Sequence, residues 1–109
     1  MSPHDNDNQG VVINNEEAKR YEFQSGDQVA VLTYKHSGQR IIFIHTGVPP
    51  ALKGHGVAGK LAYRALEDAR TQKLTVVPQC PFVASYIRRH REYLSLLSPF
   101  DRERLLQDV

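Results

Sequence analysis

The sequence predicts an α/β (α+β mixed) domain, a mixed sheet in which an N-terminal antiparallel meander is followed by a β-α-β-α unit. Three observations predict it. Between residues 11 and 48, short β-branched and aromatic runs alternate with Asn, Asp and Gly turns at hairpin spacing. Ala58, Leu61, Ala62, Ala65, Leu66 and Ala69 then recur at helical spacing, with Lys60, Arg64, Glu67, Asp68 and Arg70 opposite. Directly after this helix comes the apolar run Leu74-Thr75-Val76-Val77, which a right-handed crossover would lay parallel to the strand before the helix.

In chain order, Met1 to Gly10 is polar and has almost nothing to bury, so a disordered tail is expected there. Val11-Val12-Ile13 opens the meander, Asn14 to Glu17 turns it, and Tyr21-Glu22-Phe23 resumes it until Ser25-Gly26-Asp27. Gln28 to Lys35 and Arg40 to Val48 form the next two strands around the turn His36-Ser37-Gly38-Gln39. The continuous apolar stretch Ile41 to Ile44 predicts a central strand covered on both faces. Pro78 cannot donate to a ladder and should end or bulge the last strand. Pro81 suits the first turn of a helix carrying Phe82, Val83, Tyr86 and Ile87 on one side. Glu92 to Val109 reads as short helical segments over the core.

The chain has 109 residues, 40% of them hydrophobic, and a net charge of +2, which suits one small domain over residues 11–109. Its basic residues are scattered, so no nucleic-acid footprint is expected, and the histidines show no ligand spacing, so no metal is expected either. A single cysteine makes no internal disulfide, and there is neither a leader pattern nor a membrane-length apolar run. The expectation is a soluble, cytoplasmic protein, monomeric or weakly dimeric.

Between the apolar strand and the long helix stands Val48-Pro49-Pro50-Ala51-Leu52-Lys53-Gly54-His55-Gly56-Val57-Ala58-Gly59-Lys60-Leu61. Glycines allow close backbone approach, and free N–H groups at a helix start attract anions, so a phosphate-bearing ligand is implied. Gly54 to Gly59 spells G-x-G-x-x-G, but no acid ends the following strand to bind a ribose. Gly54 to Lys60 spells G-x-x-x-x-G-K, but Leu61 stands where a nucleotide-hydrolysing loop needs Ser or Thr for magnesium. A third pattern, Arg or Gln followed by x-x-Gly-x-Gly or Ala, fits from Lys53 through Gly56 to Ala58, with Lys in first place.

His45-Thr46-Gly47-Val48-Pro49, the glycine segment, and Cys80-Pro81-Phe82-Val83-Ala84-Ser85-Tyr86-Ile87-Arg88-Arg89-His90 occur in that order. Together they resemble the short single-domain branch of the GNAT N-acetyltransferases, over Asn14 to Leu97. The resemblance implies acetyl-coenzyme A as cosubstrate, held where two parallel strands splay apart, and an amine acceptor, either a small molecule or a peptide. It implies that Lys53, Gly54, His55, Gly56, Val57, Ala58, Gly59 and Lys60 bind the pyrophosphate, and that the backbone of the strand ending at Val48 pairs with the pantetheine arm. Tyr86 matches the tyrosine that protonates the departing thiolate. Two departures stand out: Lys53 keeps the charge but loses a planar multidentate donor, and Gly47 stands where many relatives have Glu, leaving the general base unassigned. His45 is one candidate, acting through a water.

Cys80 has two readings, an acetyl-accepting nucleophile or a small buried side chain lining the wedge; Tyr86 likewise has two, the acid or a core side chain. Three functions compete. The first is an N-acetyltransferase working by direct amine attack on the thioester. The second is a coenzyme A-binding module or sensor with little or no catalysis. The weakest is a basic adaptor using Arg88, Arg89, Arg91, Arg102 and Arg104.

Overall fold

A computed structural model describes residues 11–107, so the expected tail from Met1 to Gly10 lies outside the described residues. Five strands lie side by side in chain order: β1 (Val12–Asn15), β2 (Arg20–Ser25), β3 (Gln28–Ser37), β4 (Arg40–Gly47) and β5 (Thr75–Pro78). The first four form the antiparallel meander, and β5 joins β4 in parallel, from Arg40 opposite Thr75 to Phe43 opposite Pro78.

The connection that makes the parallel pair is helix α1 (Val57–Gln72), which buries Val57, Leu61, Ala62, Ala65, Leu66 and Ala69. Its small residues let it lie close to Tyr21, Phe23, Leu32, Tyr34 and Phe43 in one core. Each leucine so buried stabilises the fold by about 1.5–3 kcal/mol. Lys73 ends the helix in the left-handed region at φ 60, its N–H reaching the Ala69 and Arg70 carbonyls, while Leu74 N–H closes on the Ala69 carbonyl at 2.9 Å.

The polar face of α1 is tied down as well. Tyr21 donates to Asp68 at 2.9 Å, Arg64 donates to Asp68 at 3.1 Å and to the Val12 carbonyl at 2.7 Å, and Tyr93 donates to Glu67 at 2.6 Å. Burial, then the adjoining carboxylate, pushes the Tyr21 and Tyr93 phenols well above their ordinary value. The Tyr93 hydroxyl, then Arg70, holds the Glu67 carboxyl below its own.

Beyond β5 come α2 (Pro81–Arg89), a 3-10 turn over Arg91–Leu96 and α3 (Pro99–Gln107). Pro81 sits in the first turn of α2, as its missing N–H allows.

One expectation about β4 is corrected. Ile41, Ile42 and Phe43 are buried, but Ile44 is 40% exposed. Thr33 lies opposite His45 and Tyr34 opposite Phe43, so Ile44 is an extra residue, a bulge in the β3 pairing. On the other side β5 has already stopped at Pro78. From Ile44 to Gly47, β4 therefore has one paired edge and one edge that faces no strand among the described residues.

Candidate functional site

Pro50–Leu52 forms a single 3-10 turn after β4, and the chain then passes through Gly54 at φ +82 and Gly56 at φ +73. Both angles lie where side-chain-bearing residues are strained by roughly 1–2 kcal/mol, and a Cβ at either position would meet no protein atom within 4 Å. These glycines thus set a backbone path and leave open space above it.

Gly56 caps α1 without any side-chain hydrogen bond, and the first turn holds no acidic residue. Lys60 N–H already reaches the Gly56 carbonyl at 3.1 Å. That leaves the amides of Val57, Ala58 and Gly59 without intrahelical partners at the positive end of a helix of 16 residues. The amide expected from Lys60 is spent within the helix, and its ammonium lies 5.5 Å over the Phe23 ring.

A cavity of about 510 Å³ opens at this helix start, lined by Val48, Leu52, Lys53, Gly54, Gly56, Val57, Ala58, Gly59, Phe82, Tyr86 and Arg89. Of the expected binding residues, only His55 and Lys60 are outside this lining; Lys60 instead borders a second cavity of about 540 Å³ with Phe23, Tyr63 and Arg64. Gly56, Gly59 and Tyr86 border both. Lys53 and Arg89 give the first cavity its cationic groups, and neither cavity is lined by a carboxylate. Its walls suit a long ligand that is anionic at one end and apolar along the rest.

Tyr86 is 8% exposed, stacked on His90 with centroids 4.1 Å apart, and its ring edge faces Gly59. Burial, then the charge of Glu92, raises its phenol above the ordinary value, so it keeps its proton at neutral pH. Phe82, Tyr86 and Arg89 fall on one α2 face at spacings of four and three. That period was readable in the sequence, although Phe82 and Arg89 were not singled out for this site.

Cys80 is placed differently. It is 2% exposed and lines neither cavity. Its N–H donates to the Phe43 carbonyl at 2.9 Å, and its Sγ lies 3.1 Å from Thr46 Oγ1. This contact links β4 to the residue that precedes α2.

The backbone of β4 completes the geometry. Thr33 Oγ1 donates to the His45 carbonyl at 3.4 Å, which directs that carbonyl toward β3. Peptide groups alternate along a strand, so those of Thr46 are directed to the opposite, unpaired edge. Of the arginines assigned to a nucleic-acid face, Arg89 borders the cavity, Arg88 and Arg104 border a separate polar depression with Asp101, and Arg102 donates to the Leu94 and Leu97 carbonyls. Among the described residues, no helix is long and apolar enough to cross a membrane.

The sequence is 36% identical to Protein NATD1 of Mus musculus over 73 residues, covering 64% of this chain and 66% of that protein. It is likewise 36% identical to Protein NATD1 of Homo sapiens (64% and 65%) and of Gallus gallus (64% and 66%). The match thus spans slightly under two thirds of these relatives' length. A family profile described as GCN5-related N-acetyl-transferase matches residues 20–96, which takes in β2 to β4 of the meander, the glycine cradle, the parallel pair and α2. A mixed five-stranded sheet opened between β4 and β5, with a glycine-capped helix at its mouth, is the corresponding fold, and the chain belongs to the GCN5-related N-acetyl-transferase family.

Proposed function

We propose that the protein transfers an acetyl group from acetyl-coenzyme A to an amine by direct attack. The observation that carries this reading is the shared cavity, in which a helix-start cradle with Lys53 and Arg89 leads to a buried, protonated phenol on Tyr86. The thioester supplies an activated acetyl carbonyl; everything else is done by the chain. The amides of Val57, Ala58 and Gly59 hold the pyrophosphate, with Lys53 and Arg89 adding charge. Val48, Leu52 and Phe82 cover the apolar arm. The Thr46 peptide on the free edge of β4 supplies a donor for the carbonyl oxygen as charge develops there. Tyr86 donates its proton to the leaving sulfur.

Direct attack fits Cys80 better than an acetyl-cysteine intermediate does, because the thiol is buried against Thr46 and outside both cavities. The test is calorimetry with coenzyme A and acetyl-coenzyme A, followed by a thiol-release assay over spermidine, phenethylamine and a lysine peptide. Binding with thiol release supports the transferase. Binding without release for any acceptor favours a coenzyme A-binding module, and failure to bind either ligand sinks both readings.

A further inference from the structure

We infer that His45 is the general base that receives the acceptor's proton, and that the acceptor approaches from the sheet face not covered by α1; this rests on the transferase reading above. Phe43 and His45 are two residues apart and would share a face in a regular strand. The bulge at Ile44 separates them: Phe43 pairs with core-facing Tyr34, while His45 pairs with Thr33 on the other side. His45 is exposed there. The same face shows Ile13 and Val29 in the open.

Gly47 lets the imidazole take its position. A Cβ on residue 47 would come within 3.2 Å of His45 Nε2, so the ring lies against this glycine, where a side chain would otherwise leave the strand. His45 and Gly47 flank Thr46, whose peptide groups face the free edge of β4. The imidazole therefore stands beside the strand segment that holds the reacting carbonyl, on the side opposite the helix-side cavity.

The other candidate bases are occupied elsewhere. Glu67 is bound by Tyr93 and Arg70, Asp68 by Tyr21 and Arg64, and neither cavity is lined by a carboxylate. The charged groups on the same sheet side are Lys35 on β3, Arg40 at the start of β4, and the Arg20 and Glu22 pair on β2. Arg20 and Asn15 keep Glu22 ionised on its own strand pair.

Protons and bonds balance. His45 takes one proton from the acceptor ammonium, and the freed nitrogen pair forms the C–N bond as the C–S bond breaks. The sulfur takes the Tyr86 proton, and Tyr86 recovers one from the new amide nitrogen. The imidazolium, being exposed, returns its proton to water. Amine protonated at the start becomes amide, free thiol and one released proton.

The test compares wild type, His45→Gln and the double variant His45→Gln/Gly47→Glu, using the best acceptor of the panel named above. In His45→Gln, kcat/KM should fall about 10²- to 10⁴-fold, and the acidic limb of the pH profile should vanish. Coenzyme A affinity by calorimetry should stay unchanged. Glu at position 47 brings a carboxylate to the same sheet face beside residue 45, so the double variant should recover rate, with its acidic limb moved toward the carboxylate range. A His45→Gln protein that keeps its rate and its acidic limb overturns the assignment and leaves the transferase reading standing. A wild type that releases no thiol overturns both.

Discussion

Replacing Gly59 with alanine should move stability and ligand affinity in opposite directions. Gly59 lies in the first turn of α1, at ordinary helical geometry, and an added Cβ would meet only Tyr86 Cε2, at 3.8 Å. That is normal van der Waals contact, so the fold should accept the methyl. Alanine is favoured over glycine in a helix by about 0.5–1 kcal/mol, which for a domain of this size raises Tm by roughly 2–8 °C. The same methyl projects between Tyr86 and the loop, where the two cavities meet. Crowding a filled site by one methyl costs about 1–3 kcal/mol, a loss of coenzyme A affinity of roughly 5- to 150-fold. Thermal unfolding by circular dichroism and titration calorimetry on the same sample measure both quantities. A variant that melts higher but binds coenzyme A as tightly as wild type would refute the placement of the ligand over Gly59.

Tyr86→Phe should lower kcat by about 10²-fold or more while leaving coenzyme A affinity within a factor of about two, since a proton donor acts in the transition state; equal loss in both would make Tyr86 a wall of the cavity and nothing else. Cys80→Ala should retain most turnover, and intact-protein mass spectrometry after mixing wild type with acetyl-coenzyme A should find no acetyl on Cys80; a stoichiometric adduct that discharges onto amine would overturn direct attack. Stability should decline as pH rises above about 10, where unfolded tyrosines ionise. Tyr21 and Tyr93 have raised values in the fold, so their contribution is complete below that pH and is lost above it. Urea midpoints at pH 9 and 11 check this, and Tyr93→Phe should flatten the difference.

The parts legible in the sequence were those with a period or a break. Alternation gave the meander, the 3.6-residue repeat of Leu61, Ala65 and Ala69 gave α1, and the glycines between Leu52 and Leu61 gave the cradle. The bulge at Ile44 left no mark, because one extra residue within four consecutive apolar ones changes no pattern. With it went the facing of His45 and the unpaired edge of β4. Arg64, Glu67 and Asp68 read as a solvated helix face, yet they receive or make hydrogen bonds to Tyr21, Tyr93 and Val12; partners 26 to 52 residues away cannot be seen from local spacing. The contact between Thr46 and Cys80 was hidden for the same reason, which left Cys80 open to a nucleophilic reading.

A strand edge without a partner strand is also a template for self-association, and among the described residues β4 presents one from the exposed Ile44 to Gly47. The chain surrounds it with residues that cannot extend a ladder. Pro49 and Pro50 follow the free segment on β4, and Pro78 and Pro81 flank the end of β5, none of them with an N–H to offer. An intruding strand could thus form only the few bonds that Ile44 to Gly47 provide before meeting proline on one side and the β4–β5 ladder on the other. The gap can stay wide enough for a substrate without recruiting a second molecule into fibre-like growth. Substituting Pro49 and Pro50 together would therefore be felt first in solubility, ahead of any change in catalysis.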